Sequence, residues 1–217
     1  MLCLPVFTTS AHRVWLIIHI ERTKIQKRTS KNKQLRKKEK KRKGIKNSFI
    51  FANQNIHIMS TAYFSAGCFW GVEYYFKRLN GVKKTTVGFM GGELQNPSYK
   101  QVKTGTTGHL ETIAVEYDPK EVSYEALVRY FFEIHNFEQA DGQGIDIGTQ
   151  YLSAIWFKDT LERDIAIKVF GELMQMGYHP ATQIREVLAF YPAEDYHQDY
   201  LEQRQETPEC HVYRKIF

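Results

Sequence analysis

Gly67-Cys68-Phe69-Trp70-Gly71 puts a thiol between glycines, with two large aromatic rings directly after it. Residues 62–66 predict a strand and 72–79 a helix whose apolar side carries Val72, Tyr75, Phe76 and Leu79. Cys68 therefore stands at a strand-to-helix turn, facing free backbone N–H groups and the positive end of a helix dipole. That setting favours a thiolate and so a nucleophile at neutral pH. Cysteine is often a buried packing residue, but glycines on both sides, which admit a second molecule, favour the reactive reading. A second candidate is Glu111. On a strand over 110–117 it shares a face with Ile113, Val115 and Tyr117, while Thr112, Ala114 and Glu116 take the other. A carboxyl at the mouth of an apolar face is partly desolvated, holds its proton to higher pH and can donate it; if it emerges at the strand's end it is simply solvated. Tyr99 and Tyr151 stand beside glycine-containing loops, where a phenol can hydrogen-bond a substrate oxygen or merely pack. Asp146, in Gly144-Ile145-Asp146-Ile147-Gly148, can order a site or cap a turn. Cys210 lies near the C-terminus, and no spacing rule pairs it with Cys68.

Other chemistries find less support. The eight histidines show no metal-ligand spacing, and two cysteines beyond residue 58 do not make a sulfur-ligated zinc site. No Gly-Lys-Ser/Thr phosphate cradle or dinucleotide fingerprint is present. A cysteine hydrolase or acyl-transferase remains open and would need His109 or His197 as the base beside Cys68. A nucleic-acid binder led by the basic run at 31–46 is a third reading.

These residues need elements to hold them. The chain carries 30 Lys and Arg against 24 Asp and Glu, yet 15 of the basic residues fall in 1–58 beside only Glu21 and Glu39. The extension thus carries +13 and residues 59–217 carry −7. The extension is too charged and too poor in apolar residues to fold, and Val14-Trp15-Leu16-Ile17-Ile18 is far short of a membrane span. It reads as a nuclear or nucleic-acid patch, an organelle leader, or sequence upstream of a natural start at Met59. Residues 59–217 suffice for one domain with a sizeable core. With so few cysteines, a reducing, cytoplasmic setting is expected. Further strands are predicted over 82–90, 151–157 and 186–190, and loops over 93–108 and 136–148. Helices are predicted from Ser123 to 135, from Asp159 to 176 with Glu162 completing a capping box, and over 194–203. The order β-α-β-β-α-β-α-β-α points to an α+β, two-layer sandwich: a ferredoxin-like mixed sheet with helices packed on it and an irregular C-terminal tail.

Six fragments in order carry a resemblance to the A-type peptide methionine sulfoxide reductases. They are Gly67-Cys68-Phe69-Trp70-Gly71, Gly88-Phe89-Met90-Gly91-Gly92, Asn96-Pro97-Ser98-Tyr99, Thr107-Gly108-His109-Leu110-Glu111, Gly148-Thr149-Gln150-Tyr151 and the run from Ala193 to Leu201. The resemblance implies that Cys68 attacks the sulfoxide sulfur and Glu111 protonates its oxygen, helped by Tyr99 and Tyr151. It makes Phe69 and Trp70 walls for the S-methyl group, and Asp146 part of the site. It further implies selectivity for the S epimer, free or in proteins, a Cys68 sulfenic acid resolved by Cys210, and recycling by thioredoxin. Neither metal nor organic cofactor is implied, nor a membrane or nucleic-acid partner, and the protein is expected to be a monomer that repairs oxidised proteins. The chain departs from the family pattern at Asn136-Phe137, Ile145, Ile147, Leu152 and Thr207-Pro208-Glu209.

Overall fold

The computed structural model describes residues 59–217; the basic extension 1–58, with its lysine run and Cys3, lies outside the described residues. In chain order the elements are β1 (Ser60–Ala66), α1 (Phe69–Phe76), β2 (Val82–Met90), α2 (Tyr99–Val102), β3 (Leu110–Tyr117), α3 (Tyr124–Glu133), β4 (Gly142–Gln143), β5 (Asp146–Ile147), β6 (Ser153–Phe157), α4 (Thr160–Gln175), β7 (Gln183–Glu186), β8 (Tyr191–Pro192) and α5 (Tyr200–Arg204). Short 3-10 turns occur at Thr149–Tyr151 and Asp195–His197. Of these strands, six form one sheet in the order β7-β6-β1-β3-β2-β8, and β4 and β5 make a separate hairpin. The middle four, β6-β1-β3-β2, are mutually antiparallel, the ferredoxin-like arrangement. β7 joins parallel to β6, and β8 lies antiparallel on the outer edge of β2. Pro192 is tolerated there because an edge strand leaves backbone donors unpaired anyway. Among the described residues no helix is long and apolar enough to cross a membrane.

One face of the sheet makes the main core. Ala62, Phe64 and Ala66 of β1 and Ile113, Val115 and Tyr117 of β3 pack with Val72 and Phe76 of α1, Leu127, Val128 and Phe131 of α3, and Ala166, Val169 and Leu173 of α4. Phe64, fully buried, lies 5.0 Å from the Phe76 ring and 5.3 Å from that of Phe131. Truncating such a residue to alanine costs about 3–5 kcal/mol, so β1 is firmly tied to the helices. The opposite face is also covered: Met90, Leu110, Ala154 and Trp156 are buried under Leu152, Val187 and Phe190. A polar chain runs through this layer, Trp156 Nε1–H to Ser65 Oγ at 3.0 Å and Ser65 Oγ to Thr112 Oγ1 at 2.8 Å. Both faces of β3 are therefore buried around Glu111.

Several expectations need correction. α1 begins at Phe69, so Cys68 is its N-cap and the two aromatics form its first turn. The 93–108 loop contains α2, fixed by a Ser98/Gln101 capping box. Glu162 does not complete a box with Asp159; its carboxylate accepts from Lys158 N–H at 2.8 Å. The last predicted strand lies earlier, at Gln183–Glu186, because Ile184 packs on the main core while Val187 and Phe190 cover the other face. The helix expected over 194–203 splits into a 3-10 turn and α5, separated by Asp199 in a left-handed conformation (φ 55°).

Candidate active site

The site begins at the β1–α1 turn. Gly67 has φ +89°, a backbone that admits glycine readily, and the Cys68 carbonyl accepts the first helical N–H groups, Gly71 at 3.1 Å and Val72 at 3.4 Å. Phe69 N–H, an orphan donor of that first turn, donates to Glu111 Oε2 at 2.9 Å. One hydrogen bond thus holds the β3 carboxyl at the residue next to the thiol. Glu111 is only 2 % exposed, as its strand face required, so the solvated alternative fails. Burial pushes its pKa up to about 8; the Asp146 carboxylate adds to this, while the Phe69 amide and Lys103 act against it. Glu111 therefore holds a proton at neutral pH.

Cys68 behaves differently from the sequence argument. Its thiol is free, and burial, followed by the facing Glu111 carboxylate, pushes its pKa up despite N–H groups of Trp70 and Gly71 that act the other way. Desolvation outweighs the helix terminus. At neutral pH Glu111 is itself neutral, so burial is the dominant force. The resting pair is a thiol and a carboxylic acid, both protonated.

Tyr99 and Tyr151 face the same centre. Burial raises the pKa of both, with Glu111, Cys68 and Asp146 each adding repulsion; that of Tyr151 reaches about 12. Both phenols are therefore neutral donors. Tyr99 opens α2, and its N–H donates to Glu194 Oε1 at 3.3 Å. Asp146 is on β5, in the hairpin that also meets Cys210, and burial followed by the Asp146 carboxylate raises the Cys210 pKa. The structure thus gathers Cys68, Glu111, Tyr99, Tyr151 and Asp146 around one centre, with Cys210 beside the hairpin.

The aromatic part is larger than the sequence indicated. Phe69 is buried as a floor against Val87, Phe89, Val102 and Ala193, with Trp70 and Tyr99 packed on it. His197 completes the cluster, its ring 4.2 Å from Tyr99 and 5.6 Å from both Phe69 and Trp70. Tyr200 stacks on Trp70 at 3.9 Å. Both lie in the run from Ala193 to Leu201, whose aromatic spacing of three was the available signal. The flanking glycines serve another purpose than expected. A methyl at Gly67 would collide with Gln143, and one at Gly71 with the His211 ring. They make room for this chain's own hairpin and tail.

The two candidate bases of the hydrolase alternative have different surroundings. His109 is engaged by Gly92 N–H at 3.2 Å and the Leu94 carbonyl at 2.8 Å, and His197 is packed among the rings. Among the described residues, no three His, Cys, Asp or Glu converge to hold a metal ion.

The family model for peptide methionine sulfoxide reductase matches residues 60–216. The chain belongs to that family. The peptide methionine sulfoxide reductase MsrA of Nautilia profundicola is 41 % identical over 152 residues, covering 70 % of this chain and 88 % of that protein. Among solved structures, methionine sulfoxide reductase A of Corynebacterium diphtheriae is 35 % identical at a TM-score of 0.62, covering 71 % of this chain and 78 % of that one. Reduced Mxr1 from Saccharomyces cerevisiae is 29 % identical at 0.69, covering 77 % of this chain and all of the yeast one. This reductase reduces methionine sulfoxide.

Proposed function

We propose that Cys68 is the nucleophile and Glu111 the acid in reduction of the S epimer of methionine sulfoxide, free or in proteins. The reading rests on the Phe69 N–H to Glu111 Oε2 contact, which joins the acid to the helix start capped by Cys68. A sulfoxide oxygen leaves sulfur only when protonated. Glu111 supplies that proton while the Tyr99 and Tyr151 hydroxyls donate hydrogen bonds to the same oxygen. As Glu111 becomes a carboxylate it takes up the Cys68 proton, so the thiolate forms only when it is needed. The Cys68 sulfur attacks the sulfoxide sulfur and an S–S bond forms. The protonated oxygen then passes to Cys68 as the S–S bond and the substrate's S–O bond break, so that thiol plus sulfoxide become sulfenic acid plus thioether. Phe69 and Trp70 hold the S-methyl group, and Asp146 orders the hairpin beside the site.

Cys210 then attacks the Cys68 sulfenic acid, releasing water and leaving a disulfide. Thioredoxin reopens it by thiol–disulfide exchange; yeast Mxr1 is known in complex with Trx2. Recycling of this kind suits a cytoplasmic, reducing compartment. Residues 59–217 form the reductase domain, and the extension 1–58 takes no part in the chemistry. The test is a single turnover without reductant, given each sulfoxide epimer in turn. Free thiols should fall with the S epimer alone, from three to one in the full chain and from two to none in the chain shortened by 1–58. Turnover of one epimer with loss of a single thiol refutes the assignment of Cys210, turnover with no loss refutes Cys68 as well, and equal turnover of both epimers refutes the stated selectivity.

A further inference from the structure

Glu133 closes α3 and is 5 % exposed. A carboxylate is badly placed there, since the C-terminal end of a helix is already negative and burial removes its water. Its compensation comes from the last residues of the chain. Oε1 accepts from Ile216 N–H at 2.9 Å and Phe217 N–H at 3.1 Å, and Oε2 from the Tyr213 hydroxyl at 3.1 Å. Lys215 Nζ stands 3.5 Å from Oε1, and the Glu133 carbonyl accepts from Arg214 N–H at 2.7 Å. Burial alone would raise the Glu133 pKa, but these donors hold it below the usual carboxylate range.

The same strap is pinned a second time at its other end. The His211 ring lies against Gly71, its Nε2–H donates to the Ala66 carbonyl at 2.6 Å, and Tyr75 Oη donates to the His211 carbonyl at 3.3 Å. Cys210 follows from this placement: its carbonyl accepts from Gln143 Nε2 at 2.9 Å, and its Cβ lies against Gly144. On its N-terminal side the chain from 202 to 207 is exposed, so beyond the contacts at Cys210 itself the further anchors described here lie downstream of it.

We propose that Glu133 is a positioning residue for disulfide formation, clamping the C-terminal strap so that Cys210 stays docked on the hairpin beside the β1–α1 turn. This rests on the reading of Cys210 as the resolving thiol. The step itself is Cys68–SOH plus Cys210–SH giving the Cys68–Cys210 disulfide and water: one S–S bond forms, one S–O bond breaks, and the thiol proton leaves with the hydroxide. Releasing the clamp turns a docked thiol into a tethered one and lowers its effective concentration at Cys68.

The experiment is rapid-quench single turnover of the full chain with methionine S-sulfoxide, following methionine formed and Cys68–Cys210 disulfide by mass spectrometry. Glu133→Ala should leave the rate of the first methionine unchanged, slow disulfide formation by about tenfold or more, and let dimedone trap a Cys68 sulfenic acid. Glu133→Gln, which keeps Oε1 as an acceptor for the two amides, should recover most of that rate. Tyr213→Phe, at a 44 % exposed position that threatens no core, should slow the step by a smaller factor and keeps the idea testable if Glu133→Ala does not fold. Wild-type disulfide rates in Tyr213→Phe and in every folded Glu133 variant, or an equal fall in both steps, would overturn the proposal. Cys210→Ser separates this from failure of the underlying reading: if the disulfide to Cys68 still forms in that variant through Cys3, Cys210 is not the resolving thiol.

Discussion

Glu111→Gln should make the enzyme both slower and more stable, and the stability gain should depend on pH. The side chain is buried and its pKa is pushed from the ordinary 4.5 up to about 8. In the unfolded chain it ionises near its ordinary value, so the native state binds the extra proton between those two pKa values. Stability then falls as pH rises through that window, because the unfolded state sheds a proton the folded state keeps. Each unit is worth about 1.36 kcal/mol. From about pH 5 to about pH 8.5 the native state loses about 3–4 kcal/mol through this group alone. Glutamine keeps the acceptor for Phe69 N–H and has no charge to lose. Urea denaturation of both proteins across that range should therefore show their stability difference widening by this amount in favour of the variant. Taking the difference removes Cys68, Tyr99 and every other group common to both. In single turnover the variant should lose about 10²- to 10⁴-fold, the usual worth of a placed acid. A stability difference that stays flat with pH would mean Glu111 is ionised in the folded protein, and the acid role would go with it.

Two further outcomes follow from the same geometry. Burial raises the Cys68 pKa, so its alkylation rate by iodoacetamide, followed by peptide mass spectrometry, should still climb above about pH 9, beyond the ordinary thiol range; a plateau reached below about pH 8 would restore a resting thiolate. Gly71→Ala puts a methyl into the His211 ring, so rapid quench should show disulfide formation slowed more than the first methionine; a wild-type ratio of the two rates would mean the tail is not seated on that glycine.

The legible parts of the fold were those punctuated at both ends. β2 and β3 occupy the predicted 82–90 and 110–117, bounded by Gly91-Gly92 and by Asp118-Pro119. Ser123 and Asp159 cap α3 and α4 as expected. α2 was missed because four residues amid Asn, Pro and Gly carry no periodicity, and its capping box is its one local signal. The strand near 186 slipped because Val187 and Phe190 are apolar for the sake of the second face, which periodicity cannot distinguish from the first. In the site, Cys68 and Glu111 were readable from a turn and a strand face. The occupant of the glycine clefts was not. Glycine says that something approaches closely, but only the folded chain says that it is Gln143 and His211. Nor could the charge on Cys68 be read locally, since a helix start argues for a thiolate and only burial decides against it.

That neutral thiol suits the reaction better than a resting thiolate would. A permanently ionised sulfur is the form most open to oxidation by peroxide, a poor property in an enzyme that works on oxidised proteins. Holding the proton on Cys68 until the substrate oxygen has taken one from Glu111 couples nucleophile and acid in a single cycle. On the proposed mechanism the buried carboxyl gives a proton to the sulfoxide and regains one from the thiol, so no net charge is left in the site. The same low-polarity surroundings that raise both pKa values penalise a separated thiolate and protonated sulfoxide, so the two proton transfers have to be coupled to the bond making that leaves neutral products. Desolvation thus protects the thiol at rest and ties its deprotonation to protonation of the substrate, which is why, on the proposed mechanism, the acid and the nucleophile share one buried centre.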